Sequence, residues 1–136
     1  MPERSSTGQH AVLVCGSREW PYDQWTTIYD VLDRYAEALG ERFVILHGGA
    51  MGADSWAAEW GQTQPHVEEV YLYEPKYDQH GKRAPHVRND LMLDEADHVI
   101  AFWDGKSRGT KSVIDKAIKR GLSFEVHSPA GVYVEV

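Results

Sequence analysis

The chain has 136 residues, which is enough for one compact domain and too few for two. It carries 14 Lys and Arg against 21 Asp and Glu, which gives a net charge of −7. Because binding to nucleic acid depends mostly on basic residues that neutralise phosphates, this balance argues against nucleic acid as a partner. The single cysteine, Cys15, excludes an internal disulfide and a cysteine-rich metal site.

The first ten residues are polar and lack the apolar stretch of a signal peptide. No stretch of the sequence approaches the roughly 20 apolar residues of a membrane span. We therefore expect a cytoplasmic protein without membrane contact. Residues 1–10 are predicted to form a flexible tail and residues 11–136 a single domain.

Strands and helices are predicted to alternate along this domain. Short apolar runs predict strands at 11–15, 43–47, 67–73, 98–103 and 123–127. Apolar residues at helical spacing predict helices at 21–40, 54–61 and 86–95, and a last helix that opens at 107–110 and ends at Gly121. Residues 74–85 are predicted to form a long polar loop, and residues 132–136 a final edge strand or an arm onto a partner.

Continuous apolar strands that are each followed by a helix are typical of a parallel sheet covered on both faces. The predicted class is α/β: a single-domain, three-layer sandwich with a mostly parallel sheet of five to six strands and helices on both faces. Right-handed crossovers bring every strand-to-helix loop to the same edge of such a sheet.

Glycine-bearing loops follow three of the predicted strands, with the sequences "GSR" (16–18), "GGAMGAD" (48–54) and "DGKSRGT" (104–110). Two of them lead directly into helices, whose N-terminal amides favour anions. The loops therefore predict a phosphate site at the carboxyl edge of the sheet, with plain turns as the alternative. Asp54 is predicted either to cap its helix or to contact a ribose hydroxyl. Neither the Walker A pattern nor GxGxxG is present.

Several aromatic and histidine side chains have alternative interpretations. Trp20 and Trp103 adjoin the predicted ligand edge and are candidates for stacking on a base, and Lys76 and Tyr77 are candidates for a lid. His47 is interpreted as a structural histidine. No metal is expected, because no pair of histidines or carboxylates has ligand spacing. The other tryptophans fall on helical stripes and are predicted to lie in the core: Trp25, Trp56 and Trp60.

Four stretches together resemble the YspA-type, cpYpsA-related branch of the SLOG superfamily (Smf/DprA and LOG proteins): "VLVCGSREW", "HGGAMGAD", "HVRNDLM" and "AFWDGKSRGTKSVIDKA". The resemblance extends from about residue 11 to residue 127. It implies a Rossmann-like domain that binds a nucleotide or a nucleotide derivative.

The LOG enzymes of this superfamily are phosphoribohydrolases, which cut the base–ribose bond of nucleoside 5′-monophosphates. Their HxRKxxM motif is similar to "HVRNDLM" and places their catalytic arginine on Arg88. Their PGGxGTxxE motif matches "GKSRGTKSV" at Gly109 and Thr110, but its glutamate falls on Val113. A valine cannot stabilise an oxocarbenium-like centre or move a proton, so LOG-type catalysis is not expected.

The function that we predict is binding of a phosphate-bearing nucleotide of the AMP or ADP-ribose type by a sensing or sequestering module. The first alternative is a nucleotide hydrolase with an unidentified carboxylate, and the second is a DprA-like DNA-binding role, which the net charge disfavours. No cofactor is expected besides the nucleotide ligand. We also expect a homodimer or higher homo-oligomer, assembled through the strand edge at 132–136.

These predictions commit to particular residues. Candidates for catalysis, if there is any, are Arg88, Asp54, Glu19 and Asp104. The predicted ligand contacts are Gly16, Ser17, Arg18, Gly48, Gly49, Gly52, Asp54, Arg88, Asn89, Ser107, Arg108, Gly109 and Thr110.

Overall fold

A computed structural model describes residues 9–49, 52–131 and 134 of the chain. The strands in this part of the chain are β1 (Ala11–Gly16), β2 (Phe43–His47), β3 (Val67–Leu72), β4 (His98–Phe102) and β5 (Ser123–His127). The helices are α1 (Trp25–Leu39), α2 (Ala53–Gln62), the single turn α3 (Tyr77–His80), α4 (Ala84–Glu95) and α5 (Arg108–Lys119), with 3₁₀ turns at Tyr22–Gln24 and Gly81–Arg83.

The strands form one parallel sheet in the order β3–β2–β1–β4–β5. The central strand β1 pairs with β2 on one side and β4 on the other, so that Leu13 lies opposite both Leu46 and Val99. The direction of winding reverses between β1 and β4. At such a switch point the two loops leave toward opposite faces and a crevice opens between them.

Successive strand residues point to opposite faces of the sheet, and each face is covered by helices. Residues Leu13, Leu46 and Val99 share one core with Leu93 of α4 and Ile114 of α5. On the other face, α1 and α2 pack on the alternate strand residues, and the buried side chains include Val12, Ile45, Ile100, Leu32 and Trp60. The predicted α/β class and three-layer arrangement are therefore confirmed.

The prediction of a long loop over residues 74–85 is wrong for most of that segment. The carbonyl of Lys76 accepts hydrogen bonds from the amides of Gln79 and His80, which closes the turn of α3. Gly81 then takes a φ of 56°, which ends the turn. The segment is polar because these turns are exposed on all sides, so no apolar periodicity indicated a helix.

Trp25 is not a core residue, although its position on the apolar stripe of α1 predicted one. Its side chain is 37% exposed and its ring stacks on that of Trp56, with centroids 5.8 Å apart. Trp60, by contrast, is buried as expected. Trp25 also packs edge-on against Tyr29, so it belongs to an aromatic cluster at the surface rather than to the core.

Both ends of the chain fall largely outside the described residues. Of the predicted tail, Gln9 and His10 are described, and the carbonyl of His10 accepts a hydrogen bond from Val44. Of the predicted final strand only Val134 is described, and its amide donates to Val126 of the same chain. Self-association through 132–136 stays a prediction. In the described part of the chain no helix is both long and apolar enough to cross a bilayer.

Candidate functional site

The loops after β1 and β4 are joined directly at the switch point. Ser17, which is fully buried, follows β1, and its amide donates to the carbonyl of Phe102 at 2.9 Å. Its Oγ accepts a hydrogen bond from the amide of Asp104 at 3.0 Å. These two bonds fix the crevice between β1 and β4, so the loops on either side of it hold a defined separation.

Asp104 shapes the turn that leads into α5. Its Oδ1 accepts from the amides of Lys106 at 2.8 Å and Ser107 at 2.9 Å. Burial alone would raise the pKa of Asp104, but these amides and the Ser17 hydroxyl hold it below its ordinary value. The carboxylate therefore stays ionised, and the turn presents the start of α5 to the crevice.

The first turn of α5 keeps backbone donors available. Ser107 is its N-cap, and its Oγ accepts from the amide of Thr110 at 3.3 Å. Among the residues that the structure describes, none accepts a hydrogen bond from the amides of Arg108 and Gly109. A methyl group added at Gly109 would meet nothing within 4 Å. An anion can therefore approach these amides, which also carry the positive end of the helix dipole.

A cavity of about 610 Å³ opens beside this turn, and we call it the switch-point cavity. This volume is in the range of small-molecule sites. The lining combines two cations, two carboxylates, a hydroxyl and two prolines: Arg18, Lys106, Glu19, Asp104, Ser107, Pro21 and Pro129. Such a lining can receive an anionic group and hydroxyl groups in the same ligand.

Arg88 lies at the same edge of the sheet but faces inward. Its Nη1 donates to the carbonyls of Gly48 at 2.7 Å and Tyr73 at 3.2 Å, and its Nε donates to Asn89 Oδ1 at 2.7 Å. Burial lowers the pKa of Arg88, and the negative charge of Asp54 opposes that shift. The guanidinium thus ties the loop after β2 to the loop after β3.

The glycines after β2 each have a reason within the fold. A Cβ at Gly48 would lie 2.5 Å from Arg88 Nη1. Gly49 and Gly52 have φ values of 74° and 79°, and a Cβ at Gly52 would lie 2.6 Å from the carbonyl oxygens of Ser17 and Arg18. Left-handed backbone and close contact between two loops therefore account for this glycine cluster without a ligand.

Asp54 does not cap α2, which corrects one of the two interpretations that the sequence allowed. The N-cap is Gly52, and Asp54 lies within the first turn, where its Oδ2 accepts from the amide of Gly48 at 3.3 Å. His47 has the structural role expected of it. Its Nδ1 accepts from the amide of Gly49 at 3.1 Å, and burial, followed by the charge of Arg88, lowers its pKa to about 4.

Most of the predicted ligand residues therefore separate into two groups, and Arg108, Gly109 and Thr110 form the first turn of α5. Arg18, Ser107 and the catalytic candidates Glu19 and Asp104 line the switch-point cavity, with Ser17 beneath it. The second group comprises Gly48, Gly49, Asp54, Arg88 and Asn89. Together with the structural His47 these residues join the ends of β2 and β3, and we call them the Arg88 cluster. Gly52 connects the two groups through its contact with Ser17 and Arg18.

Of the two tryptophans proposed to stack on a base, only Trp103 has a suitable position. Trp20 is 5% exposed and packs edge-on against Phe102, so a ligand cannot cover its ring. Trp103 is half-buried, and its Nε1 donates to the carbonyl of Ser107. Val113, at the position of the LOG glutamate, is buried in the core.

Sequence reasoning missed a second cavity of about 410 Å³ that runs along α5, which we call the α5 groove. Its lining includes Trp103 and five cations, and four of these, Lys106, Lys111, Lys116 and Lys119, were not among the predicted ligand contacts. The available signal was the spacing of three residues within the pairs Arg108/Lys111 and Lys116/Lys119 on a predicted helix, which makes the members of each pair neighbours on its surface. Pro129, in the switch-point cavity, was also missed, because no local motif points to it.

The fold and these loops define a doubly wound α/β domain with a candidate ligand site at its switch point. The chain belongs to the YspA, cpYpsA-related SLOG family, whose model matches residues 10–80. Among curated proteins it is similar to the "Gene 61 protein" of Mycobacterium phage D29. The two are 35% identical over 117 residues, which cover 82% of this chain and 90% of the phage protein.

Two solved structures of DNA processing protein A share the fold. The protein from Streptococcus pneumoniae has a TM-score of 0.65 at 18% identity, over 89% of this chain and 50% of its own length. The protein from Helicobacter pylori, described for its single-stranded DNA binding mode, has a TM-score of 0.65 at 21% identity, over 87% of this chain and 65% of its own. The expectation from net charge that nucleic acid is not a partner finds no support in these likenesses.

Proposed function

We propose that the protein binds a phosphate-bearing nucleotide or nucleotide derivative in the switch-point cavity. The observation that carries this proposal is the position of the cavity, beside the open amides of Arg108 and Gly109 at the start of α5. Membership of the SLOG family supports a nucleotide-related role. In open α/β sheets, ligands bind outside the carboxyl ends of the strands at such a switch point.

Different residues of the lining would contact different parts of the bound nucleotide. A phosphate group would bind the open amides at the start of α5, and Lys106 and Arg18, which line the cavity, would add positive charge. Glu19 would accept hydrogen bonds from ribose hydroxyls. Nothing in this scheme requires a chemical step, so binding itself would be the activity, as in a sensing or sequestering module.

Isothermal titration with AMP, ADP-ribose and adenosine tests this proposal. We expect AMP and ADP-ribose to bind and adenosine to bind at least tenfold more weakly, because it lacks the phosphate. The double variant Arg18→Gln/Lys106→Gln should lose at least tenfold in AMP affinity. Lys82→Gln is the matched control, since Lys82 is exposed in a 3₁₀ turn and lines neither cavity. Equal binding of adenosine and AMP would contradict the phosphate site.

The hydrolase alternative keeps one supporting observation, because two carboxylates, those of Glu19 and Asp104, line the same cavity. Asp104 accepts two backbone hydrogen bonds, which leaves Glu19 as the freer group. Chromatography of AMP, GMP and CMP after incubation with the protein measures released base. We expect no steady release. Multiple turnover by the wild type that is lost in Glu19→Gln would establish the hydrolase in place of the binding module.

A further inference from the structure

The α5 groove concentrates positive charge on an acidic protein. Five of the chain's 14 Lys and Arg line it, together with Trp103, and among the described residues Asp115 is the one carboxylate in its lining. The five are Lys106, Arg108, Lys111, Lys116 and Lys119. Although the net charge of the chain is −7, the surface of the α5 groove is therefore locally positive.

Much of this charge is not neutralised within the protein. Lys111 forms an ion pair with Asp115, and Lys116 forms one with Asp90. Lys106, Arg108 and Lys119 have no acidic partner within 4.0 Å among the described residues. Like charges that line one groove repel one another, so an anion that binds between them stabilises the arrangement.

The groove is elongated. Its cations extend over most of α5, and the 1.5 Å rise per residue makes the distance from Arg108 to Lys119 roughly 16 Å. One phosphate group cannot contact both ends. A strand of successive phosphodiesters can, and this geometry favours a polymer over a single small anion.

The groove also adjoins the switch-point cavity, because Lys106 and Ser107 line both. A nucleotide whose phosphate lies at the start of α5 would therefore have its next phosphate directed into the groove. Trp103 lies beside this junction and lines the groove, where an aromatic ring can stack on an unpaired base. A duplex presents no unpaired base to such a ring.

We propose that the α5 groove binds the sugar–phosphate backbone of a short single-stranded nucleic acid whose terminal nucleotide occupies the switch-point cavity. This proposal rests on the proposed function, which it extends from a single nucleotide to an oligonucleotide. The chemistry that recognises the ligand is a row of cations for the phosphates and Trp103 for one base.

Fluorescence anisotropy with 5′-fluorescein-labelled dT12, combined with titration calorimetry of AMP, tests the proposal. We expect dT12 to bind with an affinity that falls as NaCl rises, with a log–log slope of about −0.7 for each phosphate neutralised. The variant Lys111→Gln/Lys119→Gln should weaken dT12 binding at least tenfold and make the slope shallower by about 1.4, while AMP affinity stays unchanged. Lys82→Gln again serves as the control.

A second variant separates base stacking from charge alone. Trp103→Leu should weaken dT12 binding about tenfold and leave the binding of inorganic polyphosphate unchanged, with circular dichroism to establish that the variant folds. Unchanged dT12 affinity in the double lysine variant would overturn the proposal, as would poly-glutamate competing with dT12 as strongly as unlabelled dT12 does. If AMP binds and dT12 does not, the groove proposal fails and the proposed function stands. If neither binds, both fail.

Discussion

Two arginines at the same edge of the sheet have opposite surroundings. Arg88 is drawn into the protein, where its Nη1 and Nε donate to backbone carbonyls and to Asn89. Arg18 is exposed, lines the switch-point cavity, and forms no ion pair with any described residue. The guanidinium of Arg88 holds loops together because its N–H groups are hydrogen-bonded within the protein. The guanidinium of Arg18 faces a cavity and is available to a ligand.

The glycines of the two regions differ in the same way. Gly52 is enclosed by the carbonyl oxygens of Ser17 and Arg18 and has a positive φ. Gly109 has open space where its side chain would be. In the Arg88 cluster, glycine permits close contact between two protein segments. At the start of α5, it leaves room for a ligand to reach the backbone from solution. Two pairs of substitutions compare a residue of one region with its counterpart in the other, and a pH dependence is expected in the Arg88 cluster alone.

The largest difference is expected between alanine substitutions at these two glycines. Gly52→Ala should lower the free energy of unfolding by about 3 kcal/mol, because the methyl group meets two carbonyl oxygens in a backbone conformation that L-residues rarely adopt. Gly109→Ala should leave it unchanged or raise it by up to about 1 kcal/mol, since alanine favours a helix. Urea denaturation followed by circular dichroism measures both. Equal losses in the two variants would contradict the distinction.

Substitution of the two arginines should give a smaller difference. Arg88→Gln should lower the free energy of unfolding by about 2 kcal/mol, because the carbonyls of Gly48 and Tyr73 lose a charged donor. Arg18→Gln should change it by less than about 0.5 kcal/mol, as is usual for an exposed side chain. The same denaturation experiment applies. A stable Arg88→Gln protein with lost AMP affinity would instead make Arg88 a ligand contact, as the LOG motif implies.

The smallest effect is a pH dependence confined to the Arg88 cluster. The pKa of His47 is lowered to about 4 in the folded protein, so the unfolded chain binds the extra proton more readily. The resulting stabilisation is complete above the ordinary histidine pKa and is lost as the pH falls toward 4. Between pH 6.5 and 5.5 we expect a loss of about 1 kcal/mol.

His47→Asn is the matched variant for this effect. An asparagine oxygen can accept the hydrogen bond from Gly49 at any pH in this range, so the variant should lose less stability over the same interval. Thermal unfolding at several pH values gives the comparison. A pH slope that is identical in the wild type and His47→Asn would contradict the role assigned to His47.

The five described strands could be predicted from the sequence to within one residue. For β1, β2 and β4 the reason is burial on both faces, which makes their apolar runs nearly continuous. The helical turn at Tyr77–His80 could not be predicted, since a turn exposed on all sides has no apolar pattern. The partners of Arg88 are a harder case. Gly48 lies 40 positions before Arg88 in the sequence, and nothing local to either residue indicates their hydrogen bond.

The location of the candidate site could be predicted from the sequence. Its separation into the switch-point cavity and the Arg88 cluster could not. Parallel topology placed the loops "GSR" and "DGKSRGT" at one edge, and there the structure brings Arg18 and Ser107 to one cavity. The glycines of "GGAMGAD" were interpreted as ligand contacts because glycine permits close approach. Sequence alone does not say what approaches, and in the described structure it is Arg88 and the loop after β1.

The central position of β1 has a consequence for how the chain folds. Its second edge is completed by β4, and the hydrogen bond from the Ala11 amide to Asp97 closes a separation of 86 positions. Contacts of such long sequence separation carry a large loop-closure entropy and slow folding. During synthesis β1 can pair with β2 while its other edge stays open, and open edges favour aggregation. The central strand β1 is therefore synthesised early, but its second edge is paired only after β4 has been synthesised.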